Sequence, residues 1–438
     1  MNVLKFITDI LKLIINILIG IFYYILKYKN YDDFIIGLIK NISDYNIIFI
    51  KIFQWIRISN GLKNNYYITD KIENTIQLYT TNVPYDSNSI DYKNLLDIYK
   101  IASLQSDIFL LECLDPINSG SISLVFEGKL NSKRIVIKIL RKNIKEELEK
   151  GIELIIYLEK ILNHIPFINY YINTQMFEKS RTHILEQINF SNECENLLLF
   201  NKKFKKNKFV KIPQIYHNYT KLNNNIILMA YINGKYLYQL ESYELDKYCY
   251  PFLKFIVSSI FYKKIFHCDL HQGNILFYEE KNNTDDILYK VAIIDFGMII
   301  KLDVPDIDFI YYWLDGIFNN KFMEFIEYLK IPSNTIDIFN KDDDFDIRFN
   351  KCTNLLDNLY REQKIFNPAN KTEIMIDDIY FFLNELRKHN CKISSRYNFY
   401  IISTIPLFGI LVKLGPTVKK RNIIKDILNK INNNDLLD

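Results

Sequence analysis

The chain opens with a long apolar stretch. Leu13–Leu26 is a run of 14 uncharged residues between Lys12 and Lys27. A helix that crosses a bilayer needs about 20 apolar residues, and shorter runs are more often buried or interfacial. Three alternatives stay open for residues 1–31: membrane association, which we expect, a helix packed on the rest of the protein, or a cleaved targeting segment. The last is disfavoured because an Arg-rich amphipathic pattern and a small-residue cleavage site are both missing.

The hydrophobic pattern changes after this stretch. From residue 32 to 105, apolar positions recur at helical spacing, which predicts a helical extension. From Asp115 onward, two short runs at 121–130 and 133–140 are rich in β-branched residues. Such runs are typical of strands, and the residues between them predict a β-hairpin with its turn at 130–132. We therefore expect a small sheet after the helical extension.

The remainder of the chain is predicted to be mainly helical. Lys145–Leu162 and Asn192–Phe204 have helical spacing, and residues 226–237 predict a strand that runs into a turn at Asn233-Gly234. Beyond Tyr250, helices are interrupted by the segment HCDLHQGNILF and by the buried strand VAIID. This order of elements indicates an α+β fold. The predicted segments are 1–31, 32–105, 106–229 and 230–438.

Composition excludes few classes of protein. The net charge of +4 arises from 55 basic and 51 acidic residues spread along the chain. Nucleic-acid-binding proteins usually carry a clustered excess of positive charge, which this balance does not indicate. We therefore expect no nucleic-acid partner. The six cysteines are widely separated and have neither a Cys-x-x-Cys pair nor metal-ligand spacing. They favour a reducing, intracellular compartment.

The strongest chemical signal is a pair of short motifs. His267–Asn274 reads His-Cys-Asp-Leu-His-Gln-Gly-Asn, and an Asp-Phe-Gly follows a buried strand at Asp295. Phosphoryl transfer needs a carboxylate near the attacking group and oxygen ligands for magnesium. We predict that Asp269 is the base or substrate-orienting group, and that Asn274 and Asp295 hold the metal.

A lysine upstream completes this set. Lys138 ends the run Arg-Ile-Val-Ile-Lys and matches the strand-borne lysine that pairs with nucleotide phosphates. Such a lysine needs a carboxylate partner on the main helix of its lobe to hold it extended. We predict that this partner is Glu193, in preference to Glu186 and Glu195.

Residues 118–125 are predicted to form the loop that covers the phosphates. They lie on the pattern Gly-x-Gly-x-x-Gly-x-Val, of which Gly120 and Val125 are retained. A backbone that approaches phosphates needs small residues, and serines occupy the neighbouring positions. The predicted nucleotide contacts are Asn118, Ser119, Gly120, Ser121, Val125, Lys138, Met229 and Tyr231.

Together these motifs resemble the UbiB/AarF/ADCK family of atypical kinases over residues 45–418. The family's His-x-Asp-x-His-x-Gly-Asn is matched at every fixed position by His267–Asn274, its Glu-Ala-x-Asn by residues 193–196, and its Lys-x-Gly-Gln by residues 51–54. A closing Leu-x-Gly-to-Pro pattern lies at 407–416.

The resemblance implies a protein-kinase-like, two-lobed fold with an N-terminal helical extension and a mostly helical C-lobe. Residues 106–229 would be the N-lobe and 230–438 the C-lobe. ATP or ADP would bind between the lobes with one or two Mg²⁺ ions. Helices that carry Lys51 and Gln54 would fold over the site and exclude protein substrates. Family members support isoprenoid quinone synthesis or lipid handling at membranes and show ATPase activity more readily than transfer to proteins.

The chain departs from the family pattern at several positions. Phe53 replaces the glycine of Lys-x-Gly-Gln, and the family's alanine-rich loop has become Asn-Ser-Gly-Ser at 118–121. The family's Glu-x-Asp appears as Gln187 and Asn189, so two carboxylates have become amides. These changes predict a nucleotide preference different from the family's and a less negatively charged site.

The leading hypothesis is an ATP-hydrolysing or phosphorylating enzyme that acts on or at lipid or isoprenoid metabolism on a membrane, with its protein partners undefined. A nucleotide-binding switch without phosphoryl transfer is the first alternative. A small-molecule kinase of the aminoglycoside or choline kinase type is the second. A conventional protein kinase is disfavoured because His271 stands where a lysine is expected and no Ala-Pro-Glu follows. The predicted location is intracellular and membrane-associated through residues 1–31.

Overall fold

The computed structural model of the protein describes much of the chain between residues 30 and 414. The described residues are 15, 19, 22, 30–51, 69–81, 83–162, 181, 185–281, 287–319, 321–331, 333–334, 338–362, 364–365, 376–414, 422–423 and 426. They fall into two compact units. The first unit contains the described residues up to Asn196 together with 214–231, and the second contains 197–213 and those from Ile232 onward. The four segment boundaries read from the sequence remain predictions.

Helices and strands are both present, which confirms the predicted α+β class. The helices are α1 (Tyr31–Tyr45), α2 (Asp70–Thr81), α3 (Tyr92–Leu104), α4 (Ile144–Leu162), α5 (Phe190–Phe204), α6 (His217–Leu222), α7 (Ser242–Leu245), α8 (Cys249–Val257), α9 (Val304–Phe318), α10 (Phe322–Lys330), α11 (Phe345–Arg361), α12 (Ile376–Lys388) and α13 (Ser395–Lys413). The strands are β1 (Phe109–Leu111), β2 (Asn118–Ser119), β3 (Ser123–Leu130), β4 (Lys133–Leu140), β5 (Val210–Lys211), β6 (Ile226–Ala230), β7 (Ile265–His267), β8 (Ile275–Lys281), β9 (Ile287–Ile293) and β10 (Ile299–Lys301).

The first unit is built on an antiparallel sheet of five strands in the order β1-β3-β4-β6, with β2 pairing to β3. Strands β3 and β4 form the predicted hairpin. Its two connecting residues, Asn131 and Ser132, both have positive φ, at 48° and 65°. Positive φ at both positions of a two-residue loop is the requirement of a type I′ turn, whose twist matches that of the flanking strands. The hairpin prediction is confirmed.

One face of this sheet forms the core of the first unit. Ile135, Ile137 and Ile139 of β4 are almost fully buried in a cluster that includes Leu95 and Ile98 of α3. Side chains of a strand alternate between its two faces. The even-numbered positions of β4, Lys138 among them, therefore lie on the face opposite this cluster.

The N-terminal extension packs on helix α4. The Asn46 side-chain amide donates to the carbonyl of Glu147 at 3.1 Å, and the Ile47 N–H donates to Oε1 of Glu147 at 3.1 Å. Gly151, one turn further along α4, leaves the space for this contact. A Cβ added there would lie 2.3 Å from Oδ1 of Asn46 and 2.7 Å from Cγ2 of Ile48.

The second unit combines small sheets with a helical core. Strand β9 pairs antiparallel with β8 and parallel with β5, while β7 pairs antiparallel with β10. The helical core is rich in aromatic side chains. Trp313 of α9 lies 5.3 Å from Phe325 between ring centroids, and Phe322 lies 5.7 Å from Phe382 of α12.

A cluster of ion pairs fixes the segment that follows β10. Asp303 caps α9 by accepting from the Asp306 N–H at 3.1 Å, and the Asp306 carboxylate accepts in return from the Asp303 N–H at 3.1 Å. Arg396 of α13 donates to Asp303 at 2.7 Å and to Asp306 at 2.6 Å. The guanidinium is one cause of the lowered pKa of Asp303, through its hydrogen bond to that carboxylate. Asp306 is fully buried, so this contact offsets the desolvation of its charge.

The predicted membrane location through residues 1–31 is wrong. Among the residues that the structure describes, no helix is both long enough and apolar enough to cross a membrane. The uncharged run Leu13–Leu26 already falls short of the length of about 20 residues that a span requires. Of residues 1–29, only Ile15, Ile19 and Phe22 are described.

Gly151→Ala is expected to destabilise the protein by about 1–3 kcal/mol, because the new methyl group collides with Asn46 and Ile48. Alanine normally stabilises a helix interior, so the sign of the change is diagnostic. Gly37→Ala in α1 is the matched control, since nothing lies within 4 Å of its added Cβ. It should stabilise by about 0.5–1 kcal/mol. Denaturant unfolding of both variants measures the two changes, and equal shifts would contradict the predicted docking of the extension on α4.

Arg396→Ala is expected to lower the free energy of unfolding by about 1–3 kcal/mol, because it removes the cation that pairs with the buried Asp306 carboxylate. The loss should be modest because the Arg396 side chain is half exposed and its charge is screened by solvent. Arg361→Ala removes a surface ion pair with Asp357 and should change little. If the two variants unfolded at the same denaturant concentration, the cluster would not stabilise the second unit.

Candidate active site

The predicted phosphate loop is a tight turn in the first unit. Asn118 pairs with Val125, and the Gly120 N–H donates to the Ser123 carbonyl at 2.8 Å. The side chains of Ser119 and Ser123 are buried within the unit. Gly120 is the partly exposed residue of this turn, and contact of the turn with a nucleotide remains a prediction.

The structure brings Lys138 and Glu193 together as an ion pair. The Lys138 ammonium lies 2.7 Å from Oε1 and 2.9 Å from Oε2 of Glu193. The lysine side chain is 11% exposed and the glutamate 2%. The competing candidates Glu186 and Glu195 are both exposed. The two carboxylate oxygens hold the lysine side chain extended.

The start of helix α5 explains why Glu193 is available. Asn189 caps this helix, because its side-chain oxygen accepts from the Asn192 N–H at 3.2 Å. Glu193 lies in the first turn, where the helix dipole favours a carboxylate. The amide at Asn189, which departs from the family pattern, therefore has a structural use in this chain.

The other departure, Gln187, contacts the extension. Its side-chain oxygen accepts from the Lys51 ammonium at 2.7 Å, and Lys51 is 8% exposed. Lys51 thus lies in the first unit. Its partner Gln187 occupies the position that a glutamate holds in the family's Glu-x-Asp motif. Gln54 and Phe53, the remaining parts of the predicted Lys-x-x-Gln motif, lie outside the described residues.

Met229 and Tyr231 lie at the end of β6. Met229 is buried and pairs with Val136 of β4. The Tyr231 N–H donates to the carbonyl of Arg134 at 3.2 Å, and the Arg134 guanidinium lies 3.8 Å from the centroid of the Tyr231 ring. Contact of either side chain with a nucleotide remains a prediction.

In the second unit, the loop after β7 orients Asp269 and Asn274. The Asn274 side-chain amide donates through Nδ2 to the backbone carbonyl of Asp269 at 2.8 Å. Because Nδ2 is the donating atom of this amide, the other atom, Oδ1, can accept from another donor or bind a cation. Asp269 keeps a partly exposed carboxylate, with a side-chain exposure of 31%.

Asp295 follows β9 through Ile294, and its carboxylate is held locally. Its Oδ1 accepts from the Gly297 N–H at 3.0 Å. Phe296 is fully buried, with its ring 4.9 Å from that of Phe200 and 5.9 Å from that of His267. Burial of Phe296 fixes the backbone on which Asp295 sits.

His267 links the two motifs, although sequence reasoning gave it no role of its own. Its Nε2 lies 2.7 Å from the carbonyl of Asp295, and its Nδ1 accepts from the Asp269 N–H at 3.3 Å. These bonds require a neutral ring with its proton on Nε2. Burial lowers the pKa of His267 and so favours this neutral form. Its place at the head of the His-x-Asp motif was the signal that could have identified it.

The donor atoms of the second unit suit magnesium. Mg²⁺ prefers carboxylate and amide oxygens, and it is usually held by one or two protein groups, with water and phosphate completing the shell. Asn274 and Asp295 supply one group of each kind. Within the described part of the chain, no group of three or more His, Cys, Asp or Glu residues could hold a metal. The residues therefore fit a metal that arrives with phosphate better than a closed structural site.

The chain is similar in sequence to known proteins. The model of the ABC1 atypical kinase-like domain matches residues 106–329. A protein named probable protein kinase UbiB from Blochmanniella pennsylvanica is 25% identical over 240 residues, which cover 53% of this chain and 42% of the relative. The probable serine/threonine-protein kinase abkB of Dictyostelium discoideum is 22% identical over 280 residues, 61% of this chain and 39% of the relative. The chain thus spans about two-fifths of the length of these curated relatives.

Solved structures give weaker likenesses. The complex of Rv3197 with erythromycin from Mycobacterium tuberculosis has a TM-score of 0.45 and 12% identity, and the match covers 68% of this chain and 72% of that one. A Rio2 kinase complex with ADP/Mg²⁺ and phosphoaspartate from Chaetomium thermophilum has a TM-score of 0.32 and 15% identity, with 61% and 76% covered. Neither likeness identifies a ligand or an activity for this chain. The domain match, by contrast, covers just over half of the chain, and the protein belongs to the ABC1 atypical kinase-like family.

Proposed function

We propose that this protein binds ATP or ADP together with Mg²⁺ and acts as an atypical kinase or ATPase. The observation that carries the proposal is the buried ion pair of Lys138 with Glu193. Burying two charges is costly, and an apolar pair of similar size would often be as stable or more so. An ammonium kept in place by a carboxylate is the arrangement that kinase-type sites use to bind nucleotide phosphates.

The residues of each unit have separate roles in this proposal. In the first unit, Lys138 binds a phosphate oxygen, and the Gly120 turn presents its backbone to the phosphates. In the second unit, Asn274 and Asp295 would hold Mg²⁺, which neutralises phosphate charge when bound. Asp269 accepts a proton from the attacking hydroxyl or orients an attacking water. The neutral His267 holds the backbones of Asp269 and Asp295.

The acceptor class is proposed from the family. Relatives carry kinase names, and the resemblance implies a lipid or isoprenoid acceptor of the quinone type, with ATP hydrolysis as the activity expected first. Gln187 and Asn189 replace carboxylates, and this loss of negative charge favours a second candidate, a nucleotide-binding switch without phosphoryl transfer. A small-molecule kinase is the remaining alternative.

The proposal is tested by thermal unfolding of the purified chain with ATP or ADP, with and without Mg²⁺. A ligand that binds only the folded state raises the unfolding temperature by mass action. A Mg²⁺-dependent rise accompanied by phosphate release supports the enzyme, and a rise without turnover in the presence of candidate acceptors supports the switch. Absence of any rise at millimolar nucleotide would refute the nucleotide site.

Lys138→Met is expected to weaken ATP binding by about ten- to a hundredfold, because a hydrogen bond between charged groups is worth about 1.5–3 kcal/mol. Since this change leaves Glu193 buried without its ammonium, a Lys138→Met, Glu193→Gln double variant removes both charges together. Lys133→Gln, at the exposed start of the same strand, is the control. Calorimetric titration with ATP measures all three. If the double variant bound ATP as tightly as the control, Lys138 would not be part of the nucleotide site.

Asp295→Asn is expected to abolish the Mg²⁺-dependent part of ATP binding and to reduce turnover at least about tenfold, because the charged ligand of the cation is lost. Asparagine keeps an oxygen that can accept from the Gly297 N–H, so the local fold should survive. Asp343→Asn, at an exposed position of the second unit, controls for the change in charge. Titrating Mg²⁺ at constant ATP gives the measurement. An unchanged Mg²⁺ dependence would show that Asp295 does not bind the cation.

A further inference from the structure

Arg141 is a buried cation that the proposed mechanism does not use. It follows β4 directly and is 7% exposed. Burial lowers the pKa of Arg141 to about 10, which leaves the guanidinium charged at neutral pH. A charged group that is taken out of water at such a cost needs an explanation in the contacts it makes.

Those contacts all converge on the phosphate loop and on the segment beside it. Nε donates to the Gly120 carbonyl at 3.0 Å, and Nη2 lies 2.7 Å from Oγ of Ser119. The same Nη2 lies 3.2 Å from the carbonyl of Pro84 and 3.4 Å from that of Val83. These four acceptors are uncharged oxygens.

Backbone hydrogen bonds join the same three segments, the loop, Arg141 and residues 83–84. The Arg141 N–H donates to the Ile122 carbonyl at 2.9 Å, and the Val83 N–H donates to the Ser119 carbonyl at 2.7 Å. Arg141 therefore holds the turn at residues 119, 120 and 122, and it joins this turn to residues 83–84 of the N-terminal extension. A flexible phosphate loop would have to be ordered at the moment of binding, and a loop held in advance avoids that loss of entropy.

We propose that Arg141 is a positioning residue that fixes the loop 118–123 in its phosphate-covering conformation and couples it to the N-terminal extension. This inference rests on the proposed nucleotide site and adds to it a residue that does not touch the ligand. Loss of the arginine contacts should weaken binding of ligands that carry phosphates and spare binding of the nucleoside, because only phosphates use the loop backbone.

The test compares ATP, ADP and adenosine by calorimetric titration on Arg141→Lys and Ser119→Ala. Lysine keeps the charge but cannot bond several acceptors as the guanidinium does, and Ser119→Ala removes one bond while leaving Arg141 in place. We expect roughly tenfold weaker binding of ATP and ADP to Arg141→Lys, a smaller loss for Ser119→Ala, and adenosine binding unchanged in both. Lys133→Gln serves again as the control.

The outcomes separate this inference from the proposed function. If the unmodified protein bound none of the three ligands, the nucleotide site itself would be refuted. If it bound ATP and both variants bound ATP equally well, Arg141 would have no positioning role. Equal losses for ATP and adenosine would mean that Arg141 supports the whole unit rather than the loop, which would also overturn the proposal. Circular dichroism on each variant confirms that folded protein is compared.

Discussion

A lysine and a glutamate cannot stay buried together unless the surrounding fold holds both of them in place. In this protein the lysine comes from the strand β4, whose isoleucines fill the core on one face and so leave Lys138 on the other. The glutamate comes from the first turn of α5, which Asn189 caps. The Lys138–Glu193 pair therefore depends on strand alternation and on helix capping, two local effects that act far apart in sequence. The candidate site of the first unit is built around this pair.

The second unit relies on a neutral histidine instead of a charge pair. His267 accepts from one motif and donates to the other, so the backbones of Asp269 and Asp295 are held at a hydrogen-bonding distance from a single ring. Burial disfavours the imidazolium, and the uncharged ring can play both roles at once. The buried ring of Phe296, 5.9 Å from the ring of His267, helps to fix the same segment. The backbones that carry the Asp269 and Asp295 carboxylates are thus held in place by one uncharged ring.

Two contacts connect the N-terminal extension to the first unit's site by different means. Lys51 reaches Gln187 through a hydrogen bond between side chains, and residues 83–84 reach the phosphate loop through Arg141. The extension can pack on α4 only because Gly151 has no side chain. In this family member the extension is thus part of the structure that shapes the loop, and the occluding role implied by the family remains a prediction.

The sequence by itself determined the α+β class, the hairpin turn at 130–132 and the helix that carries Glu193. It also singled out candidate residues for binding magnesium and phosphate, whose roles remain predictions. These follow from short-range rules: strand and helix periodicity, turn preferences and the order of motifs along the chain. It did not identify Arg141, the roles of Gln187 and Asn189, or His267 as the link between motifs, and its membrane assignment for residues 1–31 was wrong. Those features were decided only by the tertiary structure, because they depend on which distant groups share a buried environment. Whether a buried polar group is satisfied is a property of three-dimensional packing, and spacing along a chain does not encode it.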